Sequence, residues 1–410
     1  MEEAGKRRLS GFFIRNKPTL VMGLLALVIA GTADLFAGFF MVTMEDYIVM
    51  IPGMIVLIYA AIGMRGNIFG AMGSRLGTAM HMGTFHMNFK KGGVLRSNVE
   101  SAMVLTMIMS ILMAVIGWII VSVVFGNTYD LLKFIFISTL GGFLAGVLVL
   151  VVNLVIAYIG SKRNWDVDNI TAPLIAAAGD VITVPMIYIS AILAHEILDD
   201  TVTKILSVVM MVLTAYFSFR VLTRKSKRKR KINEAKRIIE QSLPVLLACV
   251  FLELITGLLI EGEKVKLIEH AVLMLMMTAF LNEGNALSGM LTSRLSSMLH
   301  IGTLPRSSAP PKEAGENFGV MYILAMITFI YIMTVAFAVQ PDDISYLVLL
   351  AIVLASASII TTVINLLSYY VALAALRFGM DPDDHCIPIT SSIMDVVSTV
   401  VLMSIIAVFI

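Results

Sequence analysis

SRLGTAMHMGT, running from Ser74 to Thr84, returns as SRLSSMLHIGT from Ser293 to Thr303. A Gly-Asn pair stands shortly before each copy, Gly66-Asn67 and Gly284-Asn285. Downstream, DVDNITAPLIAAAGD from Asp166 to Asp180 returns as DPDDHCIPITSSIMD from Asp381 to Asp395, with Asp-x-Asp, Pro and a final Asp at identical spacing. Upstream, DLFAG at Asp34 is answered by ELITG at Glu253. Three phrases recurring in one order mark an internal duplication, and the unit repeated decides the fold.

That unit lies in a membrane. Of 410 residues, 59% are hydrophobic and only 14% charged, against about 25% charged in an ordinary soluble domain; the mean hydropathy is +0.93. A helix needs about 20 apolar residues to cross the hydrocarbon core. Such windows recur at about 19–42, 47–80, 100–125, 131–159, 170–197, 203–222, 244–260, 267–299, 318–339, 345–376 and 386–410. Two-residue alternation is absent, so the chain reads as an all-α polytopic membrane protein of about 11 transmembrane helices rather than a barrel. The second and eighth spans are long and carry GMRGNIFG and NEGNALSG, which predicts that both helices break or tilt strongly there. Cys249 and Cys386 sit in apolar segments, which excludes a disulfide framework or a cysteine metal site. The opening MEEAGKRRLSGFFIRNKP lacks a small-residue cleavage site and is expected to be retained.

Each copy contains five spans. A second copy following directly would be inverted, but a sixth span returns the chain to its starting side, so the repeats are parallel, related by a pseudo-two-fold axis along the membrane normal. Positive residues cluster at alternate ends, above all in TRKSKRKRK from Thr223 to Lys231. The N-terminus is therefore expected in the cytoplasm and the C-terminus outside, in a multi-pass plasma-membrane protein whose basic run anchors on anionic lipid. The expected organisation is a cytoplasmic tail (1–18), a first five-helix repeat (19–200), a linking helix with a basic loop (201–242) and a second repeat (243–410).

Two of these motifs resemble the membrane domain of the MgtE magnesium channels and their eukaryotic solute-carrier relatives. They are the Pro-started IPGMIVLIYAAIGMRGN running into SRL, and the DVDNITAPLIAAAGD phrase, each present twice. The bacterial channels pair two five-helix chains around one pore, so the resemblance implies a single chain acting as a pseudo-dimer. The magnesium-sensing domains of those channels have no counterpart in about 18 residues before the first span, and gating by them is not expected. Where the family often shows Gly-Gly-Asn, Arg65 and Glu283 replace the first Gly, and Met394 stands where the first repeat has Gly179.

Asp180 and Asp395 fall near mid-membrane, where a charge costs roughly 2.5–3.5 kcal/mol and so faces a polar cavity or a partner. Parallel repeats bring both to one axis, and a divalent cation between them relieves their repulsion. Mg²⁺ suits such a site because it keeps its waters while bound by one or two carboxylates. One turn on, Thr183 and Ser398 offer hydroxyls to those waters, while Ala176, Ala177, Ser391 and Ser392 are small enough to leave room, although such residues also pack helices. Asp34 and Glu253 are matched acids suited to a second cation or a proton. Asn67 and Asn285 line the pathway or cap broken helix ends. Arg65 and Glu283 form a buried pair across the axis in this reading. Asp166, Asp168 and Asn169, with Asp381, Asp383 and Asp384, cap the fifth and eleventh spans, and their surplus charge suggests a cytoplasmic vestibule for divalent cations.

Divalent-cation transport, with Mg²⁺ ahead of Mn²⁺ or Co²⁺, is the leading reading, as a channel or as a carrier coupled to Na⁺ or H⁺. Its partners are membrane lipid and the cation, with no nucleic acid. An intramembrane aspartyl protease is the enzymatic alternative, but neither Asp lies in a Gly-x-Gly-Asp setting, so no catalytic activity is expected. A carrier of small organic solutes is the third class.

Overall fold

In a computed structural model, described for residues 2–90, 93–126, 129–163, 167–224, 233–378 and 387–410, every element is a helix. In chain order these are α1 (Glu2–Thr43), α2 (Glu45–Met50), α3 (Met54–His81), α4 (Val94–Phe125), α5 (Leu131–Arg163), α6 (Val167–Ile192), α7 (Asp200–Thr223), α8 (Glu234–Gly262), α9 (Lys264–Glu269), α10 (Ala271–Ile301), α11 (Lys312–Val339), α12 (Tyr346–Phe378) and α13 (Ile387–Phe409). Among the described residues, 10 are long and apolar enough to span a membrane. With α10 the described residues form eleven long helices; α10 itself spans 31 residues but is diluted by Asn282, Glu283 and Asn285. Helices satisfy every backbone N–H and C=O internally, which the hydrocarbon core demands.

The long second and eighth spans are not broken at their glycine-rich segments. Both α3 and α10 run unbroken through them, and the chain bends earlier, at Ile51–Gly53 and at His270. A helical Gly costs about 1 kcal/mol, less than freeing a backbone hydrogen bond inside a bilayer. At the first bend Pro52 ends the α2 turn, and Gly53 adopts the left-handed φ of 83° that starts α3.

The repeats exchange their first helices. α1 packs on α10 of the second repeat, and α8 packs on α3 of the first. Each contact needs the last glycine of its motif: a Cβ at Gly38 would lie 1.9 Å from the Leu275 carbonyl oxygen, and one at Gly257 would lie 2.6 Å from the Val56 Cα. The remaining main interfaces also come in matched sets, α1 on α6 with α8 on α13, α3 on α4 with α10 on α11, and α5 on α6 with α12 on α13. α7 has no such counterpart. It leans on α5 and α4 and is only 22% buried in its apolar window, against 78% for α3.

At the end of the bundle holding the α4–α5, α6–α7 and α11–α12 connections, the repeats are tied differently. Tyr47 of α2 donates to Glu196, and Tyr129 pairs with His195, both partners lying on a π-helical turn, Leu193–Ile197. In the second repeat His270 meets Asp342 at 2.9 Å. Burial raises the Asp342 carboxyl, but hydrogen bonds from His270 and the Ile344 amide outweigh it and hold the group below its ordinary range.

Candidate cation site

Helix exchange places four acids in the middle of the bundle, and they meet as two pairs. The Asp34 carboxyl on α1 abuts that of Asp180 on α6, while Glu253 on α8 abuts Asp395 on α13. All four are buried, between 2% and 5% exposed. The pairs sense one another, since both Asp395 and Glu253 act electrostatically on Asp180.

One helix serves both pairs. The Asn282 amide donates to Asp180 Oδ2 at 2.7 Å, and the Asn285 amide, three residues on, donates to Asp395 Oδ1 at 2.8 Å. Residues three apart lie on one face of a helix, so α10 presents two amides, one to each repeat. The second pair has further support. Ser392 donates to Glu253 Oε1 at 2.7 Å, Asn67 donates to Ser392 at 3.3 Å, and Ser391 donates to Asn67 at 3.2 Å. Glu253 also presses into α3 at Gly63, where a Cβ would lie 2.2 Å from its carboxyl carbon. In the first pair, Asp34 Oδ1 is buried without a partner. Among the described residues no three His, Cys, Asp or Glu side chains converge enough to ligate a bare ion. The arrangement suits two carboxylate pairs acting on a hydrated cation or on two cations.

Close by, Tyr59 on α3 and Thr278 on α10 approach with their hydroxyls 3.4 Å apart. Tyr59 lies 15 residues before Ser74, and Thr278 lies 15 before Ser293. They occupy equivalent positions and meet each other, which places the pseudo-two-fold axis between them.

Several sequence expectations change. Asp180 and Asp395 each pair first with the acid of their own repeat's first helix, rather than with each other. Asn67 and Asn285 are not equivalent: Asn67 lies seven residues before Ser74, Asn285 eight before Ser293. In unbroken helices that offset turns them about 100° apart, so Asn67 reaches α13 of the other repeat while Asn285 reaches α13 of its own. Because neither helix breaks, neither Asn caps a broken end. Thr183 spends its hydroxyl on the Gly179 carbonyl at 2.6 Å, and Ser398 is buried without a partner beside Gly284.

Arg65 and Glu283 do not form the expected pair. Arg65 points into its own repeat, with Nη2 2.9 Å from where a Gly142 Cβ would lie, and none of its nitrogens has a partner. Glu283 turns toward α1, its Oε2 3.5 Å from where a Gly31 Cβ would lie; the nearby Thr328 hydroxyl donates to the Leu324 carbonyl, so neither Glu283 oxygen gains a well-formed hydrogen bond. The same one-residue offset explains it: in unbroken helices Arg65 is equivalent to Gly284, not to Glu283. Ala176 lies on α6, and Asp168 and Asn169 on its first turn, with side chains outside the described set; Asp166, Asp381, Asp383 and Asp384 lie outside the described residues. Sequence reasoning missed Asn282 as a partner of the acids. Its signal was there, an amide one turn before Asn285 in an otherwise apolar helix.

The MgtE family profile, described as a divalent cation transporter, matches residues 58–191 and again 277–405. Solute carrier family 41 member 3 of Rattus norvegicus is 22% identical over 401 residues, covering 92% of this chain and 84% of the relative. Its Mus musculus counterpart is 22% identical over 413 residues, covering 94% and 82%. No solved structure matches significantly.

Proposed function

Because the chain belongs to the MgtE family of divalent cation transporters, we propose that it carries Mg²⁺ between its two repeats, with the ion drawn by the acid pairs Asp34–Asp180 and Glu253–Asp395. The observation carrying this reading is that Asn282 and Asn285, one turn apart on α10, hold one acid of each pair toward the same helix. Two carboxylates in contact repel unless a proton or cation lies between them, so each pair is a natural seat for positive charge. Carboxylate oxygens and water are the donors that suit Mg²⁺ and Mn²⁺. The Tyr59 and Thr278 hydroxyls meet between α3 and α10, and in this reading passage of the ion requires them to part. In a coupled cycle Na⁺ or H⁺ would take the place of Mg²⁺ at these pairs through Asp34 and Glu253, in a plasma-membrane protein with a cytoplasmic N-terminus.

An aspartyl protease needs its two acids facing one another, whereas here Asp180 and Asp395 each contact a different acid and a different amide. That geometry disfavours a catalytic dyad of Asp180 and Asp395, and the family match to divalent cation transporters favours cation handling. Flux into liposomes tests the proposal. Asp180→Asn and Asp395→Asn are each expected to lower Mg²⁺ flux at least tenfold, and the second substitution to cost less than the first because both act on one pathway. Wild-type flux in the double variant would overturn the assignment. Flux that rises with an imposed Na⁺ or H⁺ gradient identifies the coupling ion, and gradient-independent flux at channel rates would exclude coupling.

A further inference from the structure

Away from the acids, the loop after α10 and the end of α12 line an open cleft of about 190 Å³ formed by Arg306, Ser307, Ser308, Leu373, Leu376 and Arg377, of which the arginines and serines are exposed. The loop is built to hold its shape. Gly302, with a left-handed φ of 82°, stops α10; Leu304 is buried, 1% exposed; and Pro311 precedes α11. Two tyrosines of α12 pin the intervening residues: Tyr369 donates to the Ser307 carbonyl at 2.8 Å and Tyr370 to the Ser308 carbonyl at 3.3 Å. Two turns beyond Tyr370, on the same face of α12, stands Arg377, with Leu373 between them. Among the described residues neither Arg306 nor Arg377 has a carboxylate partner.

We propose that this cleft binds a phosphate group, presented either by an anionic lipid headgroup or by a soluble phosphate compound. Two arginines lining one small space offer guanidinium donors that suit phosphate oxygens better than lysines would, and the Ser307 and Ser308 hydroxyls add donors. Leu373 and Leu376 give the cleft an apolar floor, which fits a lipid whose glycerol and acyl carbons leave the phosphate. The site lies at the bundle end that the positive residues mark as cytoplasmic, where anionic lipid is concentrated. It is separate from the acid pairs and stands or falls without them.

The test uses the full chain purified in detergent, with melting temperature and native mass spectrometry as readouts. The probes are phosphatidylglycerol, phosphatidylcholine and inorganic phosphate. The variants are Arg306→Gln/Arg377→Gln and, as a control removing the same charge from α8, Lys236→Gln/Arg237→Gln. Phosphatidylglycerol or inorganic phosphate is expected to stabilise the wild type and the control alike, with apparent affinity at least about tenfold weaker in the Arg306/Arg377 variant, as expected for lost charge-assisted hydrogen bonds. A response to phosphatidylglycerol alone assigns the site to lipid, and one to inorganic phosphate assigns it to a soluble compound. If the Gln variant does not fold, Arg306→Lys/Arg377→Lys keeps the charge without the fork and is expected to bind more weakly. Equal responses from all variants, or no response of the wild type to any probe, would overturn the proposal.

Discussion

The two acid pairs stand on equivalent helices, yet they are satisfied very differently. Glu253 and Asp395 are held by Asn285 and Ser392, and Asn67 and Ser391 complete the network. Asp34 and Asp180 share Asn282 as their one side-chain amide, with Asp34 Oδ1 left bare. A duplicated chain is free to satisfy the acids of one half better than those of the other, even though Asn285 Oδ1 in the second network also lacks a partner. Under the proposed function, the first pair is expected to gain more stability from a bound cation than the second, because unpaired buried polar atoms are costly.

Changes around Arg65 and Gly63 probe the contrast most strongly. The Arg65 guanidinium is 1% exposed and has no partner, so Arg65→Met is expected to raise stability by about 1–4 kcal/mol, as when other buried charges give way to apolar side chains. A lower melting temperature would show that the charge has a partner in the membrane. Gly63→Ala drives a Cβ into Glu253 and is expected to cost about 1–3 kcal/mol. By contrast Gly66 faces open space, and Gly66→Ala is expected to gain about 0.5–1 kcal/mol through helix propensity. Equal responses at the two glycines would contradict the seating of Glu253 against α3.

The amides sharpen the comparison further. Asn282→Ala removes the amide of the first pair and is expected to cost about 1.5–3 kcal/mol, the worth of a hydrogen bond to a charged group. Asn285→Ala should cost less, because Ser392 still serves the second pair. Millimolar Mg²⁺ should then restore more stability to the Asn282 variant than to the Asn285 variant, measured as the shift in melting temperature.

The smallest expected effect lies at the far end of the second repeat. Asp342 is held below its ordinary range by His270 and the Ile344 amide. A depressed carboxyl contributes stability above its unfolded value, near pH 4, and that contribution fades as pH falls through the lower folded value. Asp342→Asn should therefore lower the melting temperature slightly at neutral pH and leave it unchanged in strong acid. A deficit that persists in acid would mean that the contact with His270 acts through packing alone.

Much of this was legible in the sequence, for identifiable reasons. The repeat, the helical spans and the four acids could be read because hydropathy and motif spacing are local properties. DLFAG and ELITG even marked the close crossings, since their final glycines, Gly38 and Gly257, permit α1 and α8 to exchange partners. Pairing could not be read, because it depends on which helices meet. Asp34 joins Asp180 only once α6 packs on α1, and Asn282 reaches Asp180 only because α1 and α10 are exchanged across the repeats. The expected breaks at GMRGNIFG and NEGNALSG failed for an energetic reason, since a bilayer penalises broken backbone more than it penalises glycine. With both helices unbroken, a one-residue offset was enough to separate Arg65 from Glu283 and Asn67 from Asn285.

The central claim is that the buried acid pairs are where the cation sits, and locating the ion tests it most directly. Mn²⁺, an oxygen-seeking stand-in for Mg²⁺, scatters anomalously, so crystals of the wild type and of Asp180→Asn/Asp395→Asn grown in Mn²⁺ would report its position. A peak is expected between α6 and α13, within reach of Asp180 and Asp395 through the waters of the ion, and it should disappear in the double variant. A peak that persists in the double variant, or one that lies only away from both acid pairs, would contradict it.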